Sequence, residues 1–109
     1  MHASTGKKAG ENAYSRAVTK EEILRRLENL VRKLKAQHHD CSELDSRIFS
    51  PHTRGGPYLV EVSKDRFTQR VSVDAPTVRR LVLGQPDPHL FRSLRMAMLT
   101  VTRLAGGRG

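Results

Sequence analysis

Hydrophobic residues recur with helical spacing near the start of the chain. Six of them fall within an arc of about 120° at about 100° per residue, and they are Ile23, Leu24, Leu27, Leu30, Val31 and Leu34. Thr19 and Glu22 stand at capping-box spacing, so the Thr19 hydroxyl can accept a hydrogen bond from the Glu22 backbone N–H. The pattern predicts an amphipathic helix that starts after Thr19 and ends near Gln37.

Part of this apolar stripe also has the spacing of a coiled-coil seam. Leu24, Leu27, Val31 and Leu34 repeat at 3-4-3 intervals. Such a seam either joins two chains in a homodimer or packs against the core of its own chain. Two heptads are a short run for a coiled coil. The sequence therefore favours internal packing and leaves the homodimer as the alternative.

Two segments of alternating, β-branched sequence follow, at residues 58–63 and 67–73. This alternation predicts the strands of a hairpin with one buried face. The predicted turn is centred on Lys64 and Asp65. It implies the pairs Val62 with Phe67, Val60 with Gln69 and Tyr58 with Val71. Residues 47–50 are compatible with a third short strand.

The chain closes with two predicted helices that share one start signal. Asp74 and Asp87 each stand at an N-cap position, and a proline follows in the opening turn. The first of these helices extends to Gly84, and the second extends to about Ala105, where a Gly-Gly pair stops it. The apolar face of the second helix consists of Leu90, Phe91, Leu94, Ala97, Met98, Val101 and Leu104.

This order of elements predicts an α+β fold. An N-terminal amphipathic helix and two C-terminal helices cover one face of a small antiparallel sheet built on one β-hairpin. A chain of 109 residues suits a single domain of this kind. We assign the domain to residues 19–106. Residues 1–18 lack apolar periodicity and predict a flexible basic arm, and residues 107–109 form a short tail.

The charge distribution bears most directly on function. Lys and Arg number 20 against 11 Asp and Glu, and residues 75–109 carry six basic residues against one acidic residue. Such a surplus favours a polyanionic partner, and arginine suits bidentate contact with phosphate. The candidate nucleic-acid-binding residues are Arg79, Arg80, Arg92, Arg95 and Arg103 on the C-terminal helices, and Arg25, Arg26, Arg32 and Lys33 on the first helix.

No residue pattern predicts catalysis, a cofactor or a metal site. His38 and His39 lie close to Cys41, but the paired ligand spacings of a structural zinc site are lacking. The sequence also lacks a Gly-rich phosphate loop and an apolar span of about 20 residues, so no membrane partner is expected. Cys41 is the one cysteine and forms no intrachain disulfide, so a reducing, cytoplasmic location is expected.

We interpret the chain as a small cytoplasmic, non-enzymatic protein that binds nucleic acid, such as DNA, in an accessory or regulatory role. Its Arg-rich helices would contact phosphates. The alternative is a protein-interaction module, such as an inhibitor, adaptor or chaperone, that docks on an acidic partner through the hairpin edge or the seam of the first helix. Two narrower DNA-binding modes stay open: a recognition helix within residues 75–105, and a β-ribbon reader with Arg66, Thr68, Gln69 and Arg70.

Overall fold

A computed structural model describes residues 18–106. Its elements are helix α1 (Lys20–Gln37), a 3-10 turn (His39–Cys41), strands β1 (Asp45–Phe49), β2 (Tyr58–Lys64) and β3 (Phe67–Val73), and helices α2 (Ala75–Val82) and α3 (Pro88–Ala105). The predicted α+β fold is confirmed, and so is the third strand, which begins at Asp45. Apart from Val18, the predicted arm lies outside the described residues, and so does the tail at 107–109.

All three α-helices begin at the N-caps that the sequence predicts. Each side-chain oxygen accepts a hydrogen bond from the backbone N–H three residues ahead, at 3.1 Å for Thr19 and 3.0 Å for Asp74 and Asp87. These bonds satisfy N–H groups that a helix start leaves without an intrahelical partner. The caps therefore set where each helix begins.

The three strands form an antiparallel sheet in the order β1-β2-β3, but the predicted register of the hairpin is wrong. Lys64 pairs with Phe67, so the turn lies one residue later than predicted. Asp65 adopts a left-handed backbone (φ 57°), which aspartate tolerates better than most residues. The observed pairs are Val62 with Gln69, Val60 with Val71 and Tyr58 with Val73. Because each partner moves by two residues, every side chain keeps its predicted face.

Helices α1 and α3 pack on this sheet, α2 packs beside α1, and the core lies between the two layers. From α1, the side chains of Leu27, Val31 and Leu34 are at most 2% exposed. Three of the four seam residues thus pack inside the chain's own core, as predicted, whereas Leu24 is half-buried. Cys41 and Leu44, which lie between α1 and β1, are also buried in this core.

Two positions at the edges of the α3 stripe differ from their predicted burial. Leu104 is 48% exposed, and Phe91 is only half-buried. At about 100° per residue, both side chains lie roughly 60–80° away from the centre of the apolar stripe. They are therefore at its edges, where contact with the sheet ends. Within residues 18–106, no helix combines the length and the apolar character needed to cross a membrane.

Candidate nucleic-acid interface

Three arginines lie on the side of α3 away from the core, as their helical spacing predicts. Arg92 and Arg103 are exposed, and Arg95 is half-buried. The Arg95 guanidinium lies 5.7 Å from the centroid of the Phe91 ring. This cation–π contact restrains the charged group against the helix surface. Met96, which is 56% exposed, shares this outward side.

Lys33 of α1 lines the same groove as Arg92 and Arg95. We call this feature the α1–α3 groove, and its volume is about 430 Å³. Its remaining walls come from both helices, from α2 and from the connector to α3, and include Leu30, Leu81, Gln85, Pro86, Asp87, Leu90 and Phe91. The fold thus brings basic residues from opposite ends of the domain to one concave, partly apolar surface.

Asp87 is the acidic residue that lines this groove, and its carboxylate is already engaged. It accepts hydrogen bonds from the Leu90 backbone N–H and from Arg80 Nε, each at 3.0 Å. The bond from Leu90 and then the contact with Arg80 hold the pKa of Asp87 below its ordinary value, against the opposing effect of burial. The carboxylate therefore stays charged and compensated near neutral pH.

The basic residues of the α1–α3 groove have no such compensation from the described part of the chain. The ion pairs within residues 18–106 join Arg26 to Glu22, Lys64 to Glu43, Arg70 to Glu61 and Arg80 to Asp87. Lys33, Arg92 and Arg95 belong to none of them. Uncompensated cations in a concave surface attract anionic partners. This arrangement suits phosphate binding.

The neighbouring arginines of α2 lie in different surroundings. Arg80 Nη2 is 2.9 Å from the Asp87 carboxylate, and it also donates a hydrogen bond to the Thr77 hydroxyl at 3.2 Å. Arg79 forms no ion pair within residues 18–106 and lines a separate groove beside the start of α1. Arg80 therefore ties α2 to the start of α3, whereas Arg79 is available to a ligand.

Of the four basic positions predicted on α1, Lys33 alone lines the α1–α3 groove. Arg26 Nη2 lies 4.0 Å from the Glu22 carboxylate. Arg32 hydrogen-bonds within its own helix and lines a groove between α1 and β1. Arg25 is exposed on the surface of α1. The four basic residues predicted on α1 therefore do not form one continuous binding surface.

The groove between α1 and β1 also holds basic residues that the sequence patterns do not single out. Arg47 and Lys35 line it together with Arg32. The Lys35 ammonium donates a hydrogen bond to a backbone carbonyl at 2.6 Å, and the acidic Glu28 shares the groove. Its positive charge is therefore less available than that of the α1–α3 groove. The predicted strand at 47–50 already includes Arg47, and its position next to the apolar Ile48 is the signal that could have indicated an outward side chain.

The hairpin residues considered for a β-ribbon reader divide between the two sides of the sheet. By register, Thr68 and Arg70 lie on the side away from the helices, whereas Gln69 lies on the side that faces them. Arg70 Nε is also bound to the Glu61 carboxylate at 3.0 Å. These residues therefore do not form one reading surface.

Cys41 takes no part in a metal site within the described chain. Its thiol is buried, and the Thr102 hydroxyl lies 3.6 Å from its sulfur. Between residues 18 and 106, no group of three or more His, Cys, Asp or Glu side chains is arranged to hold a metal ion. The contact with Cys41 also engages the Thr102 hydroxyl on the inner side of α3, away from the outward-facing arginines.

Comparison of the chain with protein-family models, curated proteins and solved structures yields no match. A functional assignment therefore rests on the chemistry of the residues described above. Two of the grooves within residues 18–106 join concavity with cations that lack an acidic partner there: the α1–α3 groove and the groove that Arg79 lines beside the start of α1. Of the two, the α1–α3 groove lies on the helix that carries the exposed Arg103 on its outer side.

Proposed function

We propose that the chain is a small, non-enzymatic nucleic-acid-binding protein that holds phosphate groups in the α1–α3 groove. One observation carries this proposal: Lys33, Arg92 and Arg95 converge on one groove and form no ion pair with an acidic residue of the described chain. Contacts between such cations and phosphates release counterions, which favours binding at low salt. The accessory or regulatory role and the cytoplasmic location expected from the sequence are part of this proposal.

The outer face of α3 extends the proposed surface beyond the groove. Arg103 lies about 16 Å further along the helix than Arg92, at about 1.5 Å per residue. A nucleic-acid strand that crosses the groove could therefore continue along α3 and meet a further cation. Contacts of this kind position the strand without reading bases. We expect binding that depends strongly on salt and weakly on sequence.

A salt titration with labelled random-sequence duplex and single-stranded DNA and RNA tests the proposal. The groove variant carries Lys33→Gln, Arg92→Gln and Arg95→Gln. Its affinity should fall at least about tenfold. On duplex DNA the slope of log K against log salt should shrink by roughly 0.9 for each phosphate that the variant no longer neutralises. Circular dichroism should show an unchanged fold, since charges of this kind contribute little to stability.

A matched control removes the same charge from other surfaces. Arg47→Gln, Arg54→Gln and Arg66→Gln replace three exposed arginines that have no ion pair within residues 18–106. This control should keep most of the affinity and slope of the parent. Equal losses in both variants would show a general charge effect and remove the groove as the site. A parent without salt-sensitive binding to any nucleic acid would refute the proposed function.

Protein docking is the second candidate, and the sheet topology favours one form of it. β3 is an edge strand, so the hairpin edge could pair with an extended segment of an acidic partner. The seam of α1 is less suited to this role, because Leu27, Val31 and Leu34 already pack in the core. Binding to a protein but to no nucleic acid would favour this candidate.

A further inference from the structure

A second groove opens between the start of α1, the loop that joins β1 to β2, and α2. We call it the loop groove, and its volume is about 580 Å³. This lies within the range of roughly 300–1,000 Å³ that small-molecule sites occupy. Its apolar part includes Ile23, Tyr58 and Val78, each at most 9% exposed, and the half-buried Val82. The groove can therefore remove an apolar ligand body from water.

The same groove carries basic side chains from three separate elements. Lys20 belongs to α1, Arg54 to the loop and Arg79 to α2, and all three are exposed. None of them forms an ion pair with an acidic residue between 18 and 106, and no residue that lines the groove there is acidic. Positive charge and apolar surface thus meet at one concave site.

The loop that forms one wall is locally braced. The Gly56 backbone N–H donates to the Thr53 carbonyl at 3.0 Å. Gly55 has a left-handed backbone (φ 78°), and a Cβ on Gly56 would lie 3.0 Å from the Thr53 hydroxyl oxygen. The wall therefore has a turn geometry that favours glycine at both positions. A preformed wall lowers the entropic cost of binding a ligand.

We propose that the loop groove binds an organic anion, with an apolar body on the floor and a carboxylate or phosphate group beside the basic side chains. Each half of the site selects for one half of such a ligand. Arginine forms strong, charge-assisted hydrogen bonds with carboxylate and phosphate oxygens. The site lies apart from the α1–α3 groove and does not depend on nucleic-acid binding.

Tyr58, on the floor of the loop groove, is compatible with an anionic ligand. Burial raises the pKa of the Tyr58 hydroxyl, and the negative charge of Glu21 raises it further. The phenol is therefore neutral near pH 7 and carries no charge that would oppose an anion. Tyr58 therefore adds to the apolar floor of the loop groove without adding negative charge to it.

Titrations followed by methyl and amide NMR test this proposal with defined probes. Octanoate presents an aliphatic body with a carboxylate, and adenosine 5′-monophosphate presents an aromatic body with a phosphate. At least one of them should shift the signals of Ile23, Val78 and Val82, and the stronger binder identifies the ligand subclass. Inorganic phosphate and octanol each lack one half of the ligand, so they should bind at least about tenfold more weakly.

Matched single variants locate the anionic contact. Arg79→Gln should weaken binding of the better probe about tenfold. Arg66→Gln removes the same charge from the hairpin turn, outside both grooves, and should leave probe affinity unchanged. Leu83→Glu places a negative charge at the rim, where Leu83 is 37% exposed, and should also weaken binding without unfolding the domain.

Several results would overturn the proposal. The first is that neither organic anion binds with a dissociation constant below about 1 mM, the weak end of the usual affinity range. Others are that inorganic phosphate binds as tightly as both organic anions, that shifts appear in the α1–α3 groove instead, or that none of the variants Lys20→Gln, Arg54→Gln and Arg79→Gln weakens binding. None of these results would change the salt titration of nucleic-acid binding, so the two proposals fail separately.

Discussion

The guanidinium of Arg80 holds the carboxylate of Asp87 at 2.9 Å, measured from Nη2 to Oδ2. The same carboxylate caps α3 through the backbone N–H of Leu90, and the Asp87 side chain is only 9% exposed. One side chain therefore starts α3 and joins it to α2. Because α3 carries Arg92 and Arg95, this contact helps to position the basic groove.

The two arginines of α2 should differ in their effect on stability. Arg80→Gln removes the partner of a largely buried carboxylate and should lower the free energy of unfolding by about 1–2 kcal/mol. Arg79→Gln removes an exposed charge and should stay within about 0.5 kcal/mol of the parent. Urea denaturation of both variants measures the difference. Equal losses would show that the contact with Asp87 does not stabilise the fold.

Acid should destabilise the domain through its aspartate caps. Hydrogen bonds from Thr77 hold the pKa of Asp74 below its ordinary value. The hydrogen bonds from Leu90 and Arg80 likewise hold the pKa of Asp87 below its ordinary value. In the folded state both pKa values lie below the unfolded value of about 3.9. The ionised aspartates therefore contribute their full stabilisation at pH values above the unfolded pKa. That stability is lost as the pH falls through the folded pKa. The free energy of unfolding should therefore decrease below about pH 4.

The variant Asp74→Asn, Asp87→Asn checks this prediction, because asparagine can still cap a helix but does not titrate. Urea denaturation at pH 6 and pH 3 should show a smaller decrease for the variant than for the parent. An identical decrease in both proteins would mean that other carboxylates govern the acid response.

A charged residue introduced at a fully buried position of the α1 seam should unfold the domain, because this part of the seam belongs to the core and is not an interface between chains. Leu27 is fully buried, so Leu27→Lys should cost more than about 4 kcal/mol and abolish cooperative unfolding. Leu24→Lys, at a half-buried position of the same stripe, should leave a folded protein. Circular dichroism and size-exclusion chromatography report both outcomes. A folded Leu27→Lys monomer from a dimeric parent would instead assign the seam to a homodimer.

Arg103 tests whether nucleic acid continues along α3 beyond the groove. If it does, Arg103→Gln alone should reduce the salt slope on duplex DNA by roughly 0.9, the value for one phosphate contact. The loss should be similar for all sequences, because phosphate contacts do not distinguish bases. Arg66→Gln, on the hairpin turn, is the matched control. An unchanged slope for Arg103→Gln would confine the proposed interface to the α1–α3 groove.

The sequence by itself determined the elements, because their signals are local. Thr19, Asp74 and Asp87 each act on an N–H only three residues away, so a cap can be read without knowledge of the fold. The apolar stripe of α1 and the alternation of the hairpin strands likewise indicated which side of each element is buried. These signals together predicted the α+β class.

Tertiary structure decided the hairpin register, since the hydrophobic pattern repeats every two residues. A shift of two residues leaves each side chain on its face, so alternation could not separate Val62 opposite Phe67 from Val62 opposite Gln69. The structure has the second pairing, which places Val73 opposite Tyr58, and both side chains are buried in the core.

Tertiary structure also decided which cations can meet a ligand. Arg79 and Arg80 are adjacent in sequence, but the path of the α2–α3 connector brings Asp87 to Arg80 alone. Lys33 lines the same groove as Arg92 and Arg95 because α1 lies beside α3. The packing of α1, the β1–β2 loop and α2 likewise brings Lys20, Arg54 and Arg79 to one groove. Contacts between distant residues depend on how whole elements pack, and no local spacing encodes that packing.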